Sequence, residues 1–297
     1  MPLVFRNTLS PVFAVALCLT PFVGATAFAQ LPPKDDPRPV VDDSKTPAEA
    51  PVRADLPTLY IVGDSTLKSA SPLRGWGQEI GAFFDPSKIN VVNRAIGGRS
   101  SRTFQTEGRW DAVVSALKPG DFVLIQFGHN DVGDYRDPKA KGRPSLHGEG
   151  EDTAEVTKPD GTKEMVHTFG WYMRKYGADV KAKGATAIFC SMVPHKDWQD
   201  GKIQHGERTS FVQWTADAAK ATGARFVDLN ALIAHDYEKL GQEKVESFFG
   251  DKRTHYTPAG AKYSAIIVIA GLKGLQPDPL APFFSKDADA VAPETPG

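Results

Sequence analysis

Four short segments, far apart in the chain, hold the residue types that acyl transfer from an ester needs. They are Gly63-Asp64-Ser65-Thr66, Gly97-Gly98 running into Arg99-Ser100-Ser101-Arg102, Gly128-His129-Asn130-Asp131, and Asp251 with His255. Ser65 offers a hydroxyl nucleophile, and His255 with a carboxylate beside it offers a base. The Ser65 and Gly98 N–H groups and the Asn130 side-chain NH₂ offer donors for a developing oxyanion. Taken singly, each segment also reads as ordinary loop chemistry. Gly-Asp-Ser-Thr is a turn whose polar side chains bond their own backbone, Gly98 is a loop glycine, and His255 is one surface histidine among seven. Only together do they make a reaction centre.

Such a centre requires elements that deliver its members to one place. Five apolar runs have strand character: Leu59–Val62, Ile89–Val92, Phe122–Phe127, Ala187–Cys190 and Arg225–Leu229. They are nearly continuous rather than alternating, as in parallel strands buried on both faces. Helix-period segments lie between them. In 168–183, Phe169, Tyr172, Met173, Tyr176 and Val180 share a face, and in 207–222 Phe211, Trp214, Ala218 and Ala219 do the same. The alternation predicts a doubly wound three-layer α/β sandwich, whose ligands sit at the carboxyl ends of the strands. Ser65, Gly98 and Asn130 each follow a strand, so one edge of the sheet collects them. Thr257 and Pro258 read as the N-cap and first residue of the last helix, which puts His255 on the loop leading into it. His129 reads as a loop anchor, and Ser100 and Ser101 as capping hydroxyls rather than rival nucleophiles. Residues 133–167, rich in Gly, Pro, Lys and Glu, read as one long loop.

The remaining composition narrows the function. A net charge of -1 gives no reason to expect nucleic acid as partner. Histidines at 147, 167, 195, 205 and 235 form no H-E-x-x-H or Cys/His pattern, so no catalytic metal site is expected, and serine-based acyl transfer needs no cofactor. Residues 1–29 read as a secretory signal, with Arg6, an apolar stretch from Val12 to Val23 and the cleavage-type Ala27-Phe28-Ala29. That stretch is short for a membrane span, so no stable anchor is expected and the product is secreted or periplasmic. Cys18 follows Leu17, where lipid attachment needs a small residue. The mature chain keeps Cys190 alone, and no internal disulfide can form. Residues 30–54 read as a Pro-rich disordered linker, 55–284 as the folded domain, and 285–297 as a second disordered tail.

The four segments together resemble the blocks of the SGNH (GDSL-type) hydrolases, named for the residues that match Ser65, Gly98, Asn130 and His255. Asn93-Arg94-Ala95, Gly108-Arg109-Trp110, Phe127-Gly128-His129-Asn130-Asp131, Thr168-Phe169-Gly170-Trp171-Tyr172 and Thr254 to Ala261 extend the likeness to the rhamnogalacturonan acetylesterase family, over about residues 57–280. The resemblance implies a flavodoxin-like α/β/α fold with a five-stranded parallel sheet and a serine esterase that removes O-acetyl groups from pectic polysaccharide. That family usually places the triad aspartate three residues before the histidine. Here position 252 is lysine, so Asp251, four before, is the expected carboxylate and Asp228 its weaker substitute. Arg99, Arg102 and Arg109, with Lys139, Lys141 and Arg143 beyond Asn130, suggest a basic rim suited to uronate carboxylates; equally, Arg99 and Arg102 anchor their loop through acidic side chains. Two other readings stay open: an esterase for another acetylated glycan or a lipid ester, and a catalytically impaired carbohydrate-binding protein.

Overall fold

The computed structural model describes Pro2 and residues 52–158, 160–206 and 208–295. The expected signal segment, Pro2 apart, and the linker as far as residue 51 lie outside the described residues.

Along the chain run β1 (Thr58–Gly63), β2 (Asn90–Asn93), α1 (Ser101–Thr106), α2 (Arg109–Ala116), β3 (Phe122–Gln126), β4 (Thr153–Thr157) and β5 (Lys163–His167). They are followed by α3 (Phe169–Ala182), β6 (Thr186–Cys190), β7 (Trp198–Gln199), β8 (Lys202–Ile203), α4 (Arg208–Thr222) and β9 (Arg225–Val227). The chain closes through α5 (Leu229–Leu240), α6 (Gln242–Glu246) and α7 (Pro258–Lys273). Five strands form one parallel sheet in the order β2-β1-β3-β6-β9. The order reverses direction between β1 and β3, which is the crevice where doubly wound sheets bind ligands.

The continuous apolar runs are explained by what covers the two faces. Leu59, Ile61, Leu124, Ile188 and Cys190 point to a core shared with Leu232 and Ile233 of α5 and Ala265, Val268 and Leu272 of α7. Tyr60, Val62, Val123, Ile125 and Phe189 point the other way, against Phe104, Trp110, Tyr176, Val180 and Phe211 of α1 to α4. Adjacent residues of a strand thus serve opposite cores, so neither face can be polar. In α3 the expected face of Phe169, Tyr172, Met173, Tyr176 and Val180 is the buried one, and Thr168 caps the helix by accepting from Trp171 N at 3.1 Å.

Two segments depart from the sequence expectation. Within 133–167, β4 and β5 pair as an antiparallel hairpin, with Val166 buried and Glu164 turned toward α1. At the carboxyl end, the segment expected as a disordered tail from 285 is packed as far as it is described. Ala288 and Val291 are buried, and Lys273 Nζ donates to both of their carbonyls. Glu294 N donates to Ala270 O at 2.9 Å, and Ser285 N to Phe83 O at 2.9 Å. Small apolar residues in a polar stretch suffice here because backbone carbonyls, not large side chains, take most of the bonds.

Candidate active site

β1 ends in Gly63 and the chain turns sharply through Asp64, Ser65 and Thr66. Asp64 fixes that turn, accepting from Thr66 N and Thr66 Oγ1, both at 2.8 Å. Thr66 Oγ1 in turn accepts from Gln126 Nε2 at 2.7 Å, and Gln126 Oε1 from Trp76 Nε1 at 3.2 Å. A fully buried chain of polar groups therefore supports the serine from below. Sequence reading missed this chain, although Gln126 is a lone polar residue inside an apolar strand and a buried amide must find partners. Burial pushes the Asp64 carboxyl up to about 6 against the hydrogen bonds of Thr66.

Ser65 and His255, 190 positions apart, meet with Oγ to Nε2 at 2.8 Å. On the far side of the ring, His255 Nδ1 lies 2.5 Å from Asp251 Oδ2. Asp251 Oδ1 also accepts the backbone N–H groups of Arg253, Thr254 and His255 at 3.0, 2.8 and 3.0 Å. The loop containing Lys252 wraps around this carboxylate, which is how a four-residue spacing still reaches the ring. Burial would raise the Asp251 carboxyl, but the bonds from His255 and Thr254 outweigh it and hold it well below the usual carboxylate range. A carboxylate accepts only, so the assigned proton sits on Nδ1 and the Nε2 lone pair faces the serine hydroxyl. Asp228 lies elsewhere, accepting from Ser191 Oγ at 2.7 Å and capping α5 through Ala231 N.

β2 and β3 flank β1, so Gly98 and Asn130 leave the sheet at the same edge as Ser65. Gly98 has φ +77°, a conformation that glycine adopts without strain. Asn130 donates one Nδ2 proton to Arg99 O at 3.1 Å, and its Oδ1 accepts from Arg143 Nη1 at 3.2 Å. A guanidinium can only donate, so these contacts fix the amide orientation and leave one Nδ2 proton uncommitted to Arg99. Asp131 holds the next turn together: its carboxylate accepts Ser101 N and Ser101 Oγ at the start of α1, the latter at 2.5 Å, and burial pushes it up to about 6.

The expected basic rim is corrected in part. Arg102 is 2% exposed; its Nε donates to Glu164 at 2.6 Å and its Nη1 to Pro144 O. It cannot face a ligand. Arg99 and Arg109 both pair with Glu107, at 2.9 and 2.5 Å. The anchoring carboxylates come from α1's far end and from the hairpin, positions that spacing along the chain does not single out.

Behind the base, His129 and His195 stack with ring centres 5.0 Å apart and Nδ1 to Nε2 at 3.1 Å. Arg208 Nη2 lies 2.6 Å from His195 Nδ1, which makes that nitrogen an acceptor and places the His195 proton on Nε2. That nitrogen is also 3.3 Å from Thr254 Oγ1, beside His255. Burial, with the charges of Arg208 and His255, pushes His129 down to about 3, so this pair is neutral and buttresses the loop rather than competing as a base. Lys196 N donates to Arg253 O at 3.1 Å and strengthens the same buttress.

A nucleophile bonded to a neutral imidazole, a carboxylate fixing the ring, and three donors at one sheet edge can carry out acyl transfer. Comparison with known proteins gives the same direction. The GDSL-like Lipase/Acylhydrolase family profile matches residues 61–263. A rhamnogalacturonan acetylesterase of Emericella nidulans is 36% identical over 218 residues, covering 73% of this chain and 84% of that protein. A Bacillus subtilis protein, named probable rhamnogalacturonan acetylesterase YesY, is 30% identical over 225 residues, covering 73% and 93%. Among solved structures, protein YxiM of Bacillus subtilis aligns with a TM-score of 0.59 at 27% identity; the alignment covers 73% of this chain and 56% of that one.

Proposed function

The chain belongs to the GDSL-like lipase/acylhydrolase family, and from that premise we propose a secreted or periplasmic serine esterase that removes O-acetyl groups from pectic polysaccharide, with rhamnogalacturonan the leading substrate. The observation that carries the chemistry is the Ser65–His255–Asp251 line, at 2.8 and 2.5 Å. The pectic assignment draws on the named activity of the relatives, and the export assignment on the signal-like residues 1–29.

In this reading His255 Nε2 takes the Ser65 proton as Oγ attacks the acetyl carbonyl. The Asp251 carboxylate stabilises the imidazolium that forms and keeps the ring in register. The carbonyl oxygen, now carrying charge, accepts from the N–H groups of Ser65 and Gly98 and from the free Asn130 Nδ2 proton. Collapse expels the sugar hydroxyl, which leaves with the proton from His255. Water, deprotonated by the same ring, then attacks the acyl-serine, and acetate departs with Ser65 restored.

Acetate release from a panel of purified polymers tests the proposal: acetylated rhamnogalacturonan, acetylated homogalacturonan, acetylated xylan and a long-chain lipid ester. Release should be fastest on rhamnogalacturonan, and Ser65→Ala should abolish it while the fold survives. Turnover near the parent rate in Ser65→Ala would move the nucleophile elsewhere. A clear preference for xylan or lipid would overturn the pectic assignment while leaving the esterase intact.

A further inference from the structure

Of the basic side chains that follow or precede the oxyanion residues, Arg143 stands in a different situation from Arg99, Arg102 and Arg109. Those three are committed to Glu107 and Glu164. Arg143 is half-buried and, among the described residues, no carboxylate pairs with it. Its Nε donates to Ala140 O at 3.3 Å and its Nη1 to Asn130 Oδ1 at 3.2 Å. Nη1 also lies 3.8 Å from where a Cβ on Gly98 would stand, so the guanidinium bonds one of the residues expected to hold the oxyanion and lies near the other. One backbone and one side-chain contact therefore hold a cation at the edge of the reaction centre and leave its Nη2 protons with no partner among the described residues.

A half-buried guanidinium kept from carboxylates of its own chain is costly unless something from outside meets it. Lys139 and Lys141, on the same short segment, are exposed and likewise without an ion-pair partner among the described residues. The segment thus presents three cations and no compensating acid. Asp137, the nearest acid before them, turns its carboxylate onto Lys139 N instead.

We propose that Arg143 is a specificity-determining residue whose free edge binds a carboxylate of the acetylated glycan, on the sugar that carries the acetyl group or on its neighbour, with Lys139 and Lys141 supplying attraction for the rest of an acidic chain. The inference deepens the esterase reading and rests on it for the location of the cleft. The planar fork suits a carboxylate, which can take two parallel N–H bonds where a hydroxyl takes one. Because the same guanidinium fixes the Asn130 amide, a bound carboxylate and a correctly aimed oxyanion donor come as one arrangement. The enzyme then selects an acidic backbone at the position where it does its chemistry.

Equilibrium binding without turnover is the test. An unacetylated galacturonate oligomer and its carboxyl-reduced counterpart are titrated calorimetrically into the parent protein, Arg143→Gln and Arg143→Lys, at low and raised salt. The parent should bind the acidic oligomer at least about ten-fold more tightly than the reduced one, with the difference shrinking as salt rises. Arg143→Gln should lose most of that difference, and Arg143→Lys should keep the salt response but not the full affinity. Equal binding of both oligomers by the parent overturns the proposal without any variant having to fold. So does an Arg143→Gln protein that binds the acidic oligomer as the parent does, which would leave Arg143 as a support for Asn130 only. Neither oligomer carries an acetyl group, so a failure here is separate from a failure to release acetate, which would count against the esterase reading instead.

Discussion

Replacing Asp251 with Asn tests the base most severely, because the substitution exchanges one oxygen for an NH₂ group and changes almost no volume. In the parent, Oδ1 accepts three backbone N–H groups at 2.8 to 3.0 Å while Oδ2 meets His255 Nδ1 at 2.5 Å. An amide can satisfy only one of these sites as an acceptor. If its oxygen keeps the three backbone bonds, its NH₂ faces Nδ1 and the ring proton moves to Nε2. The 2.8 Å contact to Ser65 then survives with reversed polarity, histidine donating, and no lone pair remains to take the serine proton. If the amide flips instead, its NH₂ confronts three N–H donors. At about 1 kcal/mol for each bond lost, that orientation lies some 3 kcal/mol higher, a population near one in a hundred. The competent tautomer is therefore scarce by about a hundred-fold, and the missing negative charge beside the imidazolium adds to the loss. A fall in kcat of between about a hundred- and ten-thousand-fold is expected. The assay is steady-state hydrolysis of a small neutral acetyl ester, with circular dichroism and Tm to show an intact fold. A folded Asp251→Asn protein within ten-fold of the parent would refute the tautomer reasoning, and Asp228→Asn should serve as the control that acts through stability.

Asn130→Ala removes the proposed oxyanion donor and should lower kcat by about a hundred-fold or more with little change in KM; a raised KM at normal kcat would make Asn130 a substrate-binding residue instead. His129 resists protonation until about 3 in the folded protein, whereas an unfolded histidine takes up its proton near 6.5. The unfolded state thus binds more protons across that window, and the stabilisation that neutral His129 contributes is lost as pH falls. The Tm advantage of the parent over His129→Phe should narrow between about pH 7 and pH 4, and a constant gap would show that His129 does not titrate on unfolding. Cys190 is fully buried on β6 and its thiol is pushed far above the ordinary range by burial, so a thiol reagent should label it only as the protein unfolds. Rapid labelling under native conditions would contradict that packing.

Much of the fold was legible because its strands are buried on both faces. Each of the five apolar runs overlaps an observed strand, and the ends differ by a residue or two where polar residues such as Asn93 and Thr186 continue the ladder. The reaction centre was legible for a related reason. Polar residues placed straight after buried strands have only the sheet edge to occupy, and β2, β1 and β3 are neighbours there. What sequence did not reveal are pairings made across the fold. Glu164 reaches Arg102 from a hairpin hidden in a Gly- and Lys-rich stretch, and Glu107 takes up two arginines at once. Charge type and spacing alone leave such arginines open between a ligand and a loop anchor. Their carboxylate partners in the fold separate the committed ones from Arg143.

The packed carboxyl end bears on how the protein is made. Ala288 and Val291 cover part of the core formed by α7, and Phe284 lies against Phe84 with ring centres 5.3 Å apart. Those residues follow α7 in the chain, so during synthesis α7 leaves the ribosome before its cover does. Chains stopped after Phe284 should be digested faster by a protease than chains that contain Ala288 and Val291; equal rates would mean that the cover adds little. The cover is thus a late piece of the fold, and a chain that stops short of it keeps the reaction centre but leaves an apolar seam along α7 open to quality control.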